Sequence, residues 1–298
     1  MTVLVSTAPG EMGELAAETI REILDRAIGE TNIATFAESG SPVEWDALAK
    51  AGWDLVGVVE DGEGASLRDL VEVAQVWGAR LAPLPYLESV IAKRHSEQAQ
   101  EWEGPVTYAL PQTSLRGGVS YIPYGAVPGI GLVTKLGTGA GEIVSVPEGE
   151  PHTLDLDARG READVTTEFS LDVAREIAVI SAASSVGAAR RLLDLGIAFA
   201  KEREQFGKPI GSFQAVKHHL ANAMIAVEEA DTAAIWGSLN LDEAFRSSKF
   251  AIGRCVDAAE IVLQVHGGLG FTWELGLHFY LRHMLAARES VEGLRSRF

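Results

Sequence analysis

The amino-acid sequence predicts a mainly α protein with an N-terminal helical domain (residues 1–102), a shortened middle β region (residues 103–166) and a C-terminal four-helix bundle (residues 167–298). Three observations predict it. Apolar residues recur at helical spacing through most of the first third of the chain. Between about residue 103 and residue 165 that period gives way to short β-branched and aromatic runs punctuated by glycine and proline. From Ser170 onward the helical period returns in long segments with few breakers.

In chain order, residues 10–28 place Met12, Leu15, Ile20, Ile23 and Leu24 on one face with Glu and Arg between them, the pattern of an amphipathic helix. Residues 43–51 read as a second helix, ended by Gly52. Leu55, Val56, Val58 and Val59 then form a short extended run into the acidic, glycine-bearing loop of residues 60–64. Leu70, Val71, Val73, Ala74 and Trp77 predict a helix over residues 67–81, broken by Pro83 and Pro85, and another runs from Tyr86 to about Lys93. The middle region alternates turn residues (Gly117, Gly118, Pro123, Pro128, Gly129, and the glycines at 137–141) with runs around Tyr121 and Leu132, which suits short strands.

The last part carries four helices. Residues 171–201 keep Val173, Ile177, Ile180, Ala183, Val186, Leu193 and Ile197 near one face, expected to be the buried side. Residues 213–239 and 241–265 follow with Val216, Leu220, Met224, Val227, Phe245, Ile252, Val256 and Val262 as core positions, and residues 275–291 supply the fourth helix. Between the first two lies a charged corner: Arg203 suits a helix C-terminus, Gly207 and Pro209 punctuate it, and Phe206 with Phe213 is expected to pin it into the core.

Composition excludes several function classes. With 25 basic against 42 acidic residues the net charge is -17, which repels nucleic acid and anionic membrane surfaces. The single cysteine, Cys255, lies in an apolar-periodic segment and reads as a buried structural thiol. Met1 to Ser6 lack a basic stretch followed by an apolar core, so a cytoplasmic location is expected. No Gly-x-Gly-x-x-Gly stands between a strand and a helix, and no Gly-x-x-x-x-Gly-Lys-Ser/Thr occurs.

Two motifs carry a resemblance. Residues 203–218 read Arg-x-x-Phe-Gly-x-x-Ile-x-x-Phe-Gln-x-Val-x-His, and residues 264–270 read Gln-Val-His-Gly-Gly-Leu-Gly. In this order and at this separation they resemble the two signatures of the acyl-CoA dehydrogenase family. The resemblance implies the fold above, an acyl-CoA thioester as substrate and FAD as cofactor. It also implies that Arg203 holds the pyrophosphate of a flavin bound mainly by a neighbouring subunit, with Phe206 nearby and Gln214, Gln264, Gly267 and Gly268 at the adenine-dinucleotide end. A planar guanidinium matches phosphate oxygens in a bidentate fork, and glycines let the backbone approach a ligand closely.

The chain also departs from the family. It has only about sixty residues where the family carries a β-domain of about a hundred, and the segments that hold the flavin ring are missing; Thr107 to Gln112 offers a remnant without Thr-Glu-Pro. The reaction implied needs a carboxylate base. The late family position falls on Val291, between Glu289 and Glu292, and the early one on Ile177, beside Glu176. A one-residue slip turns a side chain by about 100° on a helix, so Glu176 cannot stand in, and Glu292 is the candidate base. The resemblance therefore implies a subunit that completes the FAD site of a full-length acyl-CoA dehydrogenase partner, with ring-bearing acyl thioesters such as steroid side-chain intermediates as substrates. A homo-oligomeric enzyme with its own FAD and a non-catalytic descendant of the fold both remain open at this point.

Overall fold

The structure is a computed structural model that describes residues 7–60, 64–113, 119–151 and 160–298. The expected loop at residues 61–63, the turn at Gly117 and Gly118, and Met1 to Ser6 lie outside them. The N-terminal part folds as α1 (Glu11–Ile28), α2 (Ile33–Ser39), α3 (Trp45–Ala49), α4 (Leu67–Arg80), α5 (Tyr86–His95) and α6 (Glu97–Glu101). A capping box starts α4, with the Ser66 hydroxyl accepting from Asp69 N–H and the Asp69 carboxylate accepting from Ser66 N–H. The same carboxylate accepts from Gly10 N–H at 2.6 Å and so fixes the start of α1.

Short strands occupy the middle: β1 (Val106–Thr107), β2 (Leu110–Pro111), β3 (Ser120–Ile122), β4 (Gly131–Val133), β5 (Lys135–Leu136), β6 (Ile143–Ser145), β7 (Glu150–Pro151), β8 (Arg161–Ala163) and β9 (Glu168–Phe169). They form sheets ordered β1-β4-β6, β2-β3-β8-β7 and β5-β9, with β1 parallel to β4 and β3 antiparallel to both β2 and β8. The C-terminal bundle comprises α7 (Leu171–Glu202), α8 (Gln214–Leu239), α9 (Ala244–His266) and α10 (Leu277–Arg295). A hairpin of β10 (Glu204–Gln205) and β11 (Lys208–Pro209) sits between the first two helices.

Four local expectations need correction. Residues 55–59 form no strand: Trp53–Leu55 is a 3-10 turn, in which Asp54 is buried to receive Lys93 Nζ at 2.6 Å. Two short helices, α2 and α6, went unread because each is a few residues long; polar caps start them, Asn32 accepting from Ala34 N–H and Ser96 from Ala99 N–H. The third concerns α7, which is buried nearly all round from Val173 to Ala189 rather than on one side, because α4, α8, α9 and α10 all pack on it. It is the axis of the fold. Gly78 and Gly187 make the α4–α7 crossing close: a Cβ on either would lie 2.0 Å from Ser184 O or 1.9 Å from Gln75 O. Lastly, Met224 is 54% exposed and belongs to an outer face, with Val227 taking the inner one.

Candidate functional site

Helix α7 ends where Arg203 N–H donates to Phe199 O at 2.9 Å and Arg203 turns to extended geometry. The two-residue hairpin that follows has Phe206 at φ 54° and Gly207 at φ 78°. Both angles are left-handed, as a tight hairpin tip requires, but a bulky aromatic there is an exception that costs about 1–2 kcal/mol. The expectation that Phe206 pins the corner into the core is overturned: its side chain is 92% exposed, edge-on to Phe213 at 6.1 Å between ring centroids. Lys208 Nζ stands 4.4 Å over the Phe213 ring. Arg203 is exposed and, among the described residues, makes no ion pair.

The end of α9 lies at the same end of the bundle. Phe199 of α7 stacks on His266 of α9 with centroids 4.3 Å apart, and His266 donates from Nδ1 to Val262 O at 2.9 Å. Burial lowers the His266 pKa despite that bond, which suits a neutral ring. Gly267 follows at φ 62°, a conformation that favours glycine. Gly268 has no such need, and a Cβ on it would meet nothing within 4 Å of its own chain. A bare backbone that the chain's own packing does not require is available to something outside the chain. Gln264, Gly267, Gly268 and Phe271 line an open hollow of about 590 Å³. Because α7, α8 and α9 alternate in direction, exposed Gln214 at the start of α8 shares this end too.

These residues fit the dinucleotide end of a flavin: an unpaired guanidinium, an exposed aromatic and open backbone. The β region does not fit the ring end. The remnant segment is packed inside, with Thr107, Tyr108, Ala109, Leu110 and Gln112 all buried. Thr107 Oγ1 donates to Pro123 O at 2.8 Å, and Ala109 N–H donates to Thr167 Oγ1 at 2.9 Å. The Thr107 hydroxyl and the Ala109 N–H are thus used within the chain, and Tyr108 and Leu110 face a small internal cavity.

Neither carboxylate considered as a base stands at the corner. Glu292 lies about 22 Å along α10 from its first residue, Leu277, toward the opposite end of the bundle. It is held between Arg295 and Lys249 (3.2 Å). The hydrogen bond from Arg295 is the largest influence, and with that from Lys249 it holds the carboxyl at about 2. A carboxylate so stabilised is a weak proton acceptor near neutrality. Val291 is buried in the core, and Glu289 accepts from Thr113 Oγ1 at 2.9 Å. Glu176 is 8% exposed and pairs with Arg94 at 3.0 Å and His95 at 2.9 Å. Burial alone would raise its pKa, yet the bond from His95 and the charges of His95 and Arg94 bring it below the usual value. It ties α5 to α7.

Sequence reading missed one feature, a cavity at the seam of the three parts, bounded by Trp77, Tyr108, Tyr124, Ser184 and His283. Ser184 and His283 are 99 positions apart and meet only in the fold, so no local pattern announces them. Cys255 is buried, and burial pushes its thiol far up, as for a structural cysteine. Among the described residues no helix is long and apolar enough to cross a membrane, and no cluster of metal-binding side chains occurs.

Residues 170–290 match the family model of the acyl-CoA dehydrogenase C-terminal domain. Acyl-CoA dehydrogenase FadE34 of Mycobacterium tuberculosis is 32% identical over 282 residues, which cover 83% of this chain; the chain spans only 39% of that relative's length. Among solved structures, the ChsE4-ChsE5 complex from Mycobacterium tuberculosis superposes with a TM-score of 0.76 at 19% identity, covering 98% of this chain and 96% of that one. The Tcur3481-Tcur3483 steroid ACAD, as its G363A variant, gives a TM-score of 0.72 at 22% identity over 96% and 95% of the two chains. At these identities the structural likeness is one of fold.

Proposed function

We propose that this chain, which resembles the acyl-CoA dehydrogenases in sequence and has their fold, is one subunit of a heteromeric, flavin-dependent acyl-CoA dehydrogenase. It completes the FAD site of a full-length partner subunit. The observation that carries this reading is a contrast within one molecule. Arg203, Phe206 and Gly268 stand exposed at one end of the bundle, whereas the segment corresponding to a ring pocket is buried.

In this arrangement Arg203 clamps the pyrophosphate, Phe206 lies against the dinucleotide, Gln214 and Gln264 hydrogen-bond its adenine end, and Gly267 and Gly268 offer backbone N–H groups. When bound, the flavin accepts the hydride that leaves the β carbon of the acyl thioester as a base removes the α proton. The ring pocket and that base come from the partner. An outer face of α8 and α9 supports a large partner contact in a heterotetramer: Met224, Ile225, Trp236 and Phe250 are each at least half exposed. Ring-bearing acyl thioesters of the steroid class are the proposed substrates, supported by the steroid ACAD among the fold neighbours.

The test is to purify this chain alone and together with a full-length acyl-CoA dehydrogenase encoded beside it, then record absorbance spectra and molar masses. Flavin absorbance is expected only in the mixed assembly. A yellow, flavin-loaded product from the lone chain would overturn the shared site.

A further inference from the structure

The two halves of the corner sit on different helices, Arg203 at the end of α7 and Gly267 with Gly268 just beyond the end of α9. Among the described residues no hydrogen bond or ion pair joins Arg203 to Gln264, Gly267 or Gly268. A ligand gripped from both helices is held tightly only if the two grips already stand at the right separation, because ordering them on binding costs affinity. That separation has to be set by other side chains.

The contacts between α7 and α9 lead toward the corner turn by turn. Gly196 lets the two helices approach, since a Cβ on it would lie 2.7 Å from Val262 Cγ1. One turn further on, the half-buried Phe199 ring stacks on His266 with 24° between the ring planes. His266 is only 7% exposed, and its Nδ1–H donates to Val262 O at 2.9 Å, so its ring cannot swing off Phe199 without leaving that bond unmade. A leucine would fill the space but could neither stack nor be tied to its own helix. Each member of the pair then leads directly into the corner. Arg203 N–H donates to Phe199 O, and Gly267 is the residue after His266. The glycine loop also folds back over the histidine, for a Cβ on Gly270 would lie 2.9 Å from Leu263 O and 3.1 Å from His266 Cβ.

We propose that His266 is a positioning residue of the flavin corner. Its ring, tied to Val262 O and stacked on Phe199, fixes the Gly267 and Gly268 backbone relative to Arg203, so that both engage one dinucleotide at once. His266 acts through those groups and needs no contact with the flavin itself. The inference rests on the shared-flavin reading and adds to it a residue to which the family resemblance assigns no role.

The test measures the FAD dissociation constant of the mixed assembly, unaltered and carrying Phe199→Leu, His266→Leu, His266→Phe or both leucine substitutions together. Each single leucine substitution keeps apolar volume at its site and is expected to weaken FAD binding about fivefold, the order of one aromatic pair. His266→Phe keeps a stacking ring without the bond to Val262 O and is expected to lie between the unaltered assembly and His266→Leu. The double variant should bind no more weakly than about the weaker single one, because the two rings act as a unit. Should His266→Leu fail to fold, Phe199→Leu, at a half-buried site, decides by itself. A merely structural stack would lower the melting temperature of the lone chain and leave FAD affinity unchanged, and that result overturns the positioning role. If Arg203→Ala loses flavin while Phe199→Leu and His266→Leu keep it, the role fails and the shared site stands. An unaltered assembly without flavin overturns both.

Discussion

The corner at residues 203–214 and the seam around Glu176 and His283 draw on similar residue types and treat them oppositely. At the seam, charge is matched inside the chain: Glu176 has Arg94 and His95, and buried Lys93 has Asp54 with only 3% and 5% of the two side chains exposed. At the corner, Arg203 has no counter-charge among the described residues, and Phe206 keeps a strained backbone while exposing its ring. Paired groups hold the fold together, and on the proposed reading the exposed ones at the corner serve another molecule. The difference teaches which charges to read as structural and which as functional, and it can be probed from both sides.

The larger effect belongs to the seam. Burial lowers the His283 pKa from its ordinary value to about 4. A histidine depressed in the folded state binds its proton later than it does in the unfolded chain, so its contribution to stability is complete above the unfolded value near 6.5 and declines as pH falls toward 4. We expect a loss of roughly 2–3 kcal/mol across that window, discounted because the ring keeps some solvent contact through the cavity. His283→Asn should flatten the curve while keeping a hydrogen-bonding partner for Ser184. Urea denaturation from pH 4 to pH 7 measures it, and an unchanged slope in the variant would show that His283 is not the titrating group.

The smaller effect belongs to the corner and has the opposite sign. Phe206→Gly relieves the left-handed strain and should stabilise the lone chain by about 1 kcal/mol. It should also weaken flavin retention in the mixed assembly. A gain in stability coupled to a loss of binding is the signature of strain kept for function. If the variant lost stability, the Phe206–Phe213 contact would matter more to the fold than the comparison allows.

Much of this was legible in the sequence. The long helices were, because α1, α4 and α7 to α10 repeat apolar residues over many turns and end at glycine, proline or polar caps. The corner was legible as a motif, since Arg203, Phe206 and Gln214 sit close together in the chain. Its geometry was not: Phe206 is apolar, and patterning alone assigns an apolar residue to a core. The same rule failed at Met224, which faces outward. Glu292 looked available from its spacing to Gly267 and Gly268, yet Lys249, 43 positions earlier, had already claimed it. Pairings over such separations leave no local trace, which is also why the Trp77 cavity could not be foreseen.

The most direct measurement of the central claim is the flavin content of the mixed assembly carrying Arg203→Ala, compared with the unaltered assembly at equal subunit mass. The Arg203 side chain is exposed and makes no ion pair among the described residues, and its backbone bonds survive the substitution, so folding and assembly should be unaffected. Loss of a charge-assisted contact to the pyrophosphate should weaken flavin binding about tenfold or more. Unchanged flavin content in the variant assembly would contradict the account.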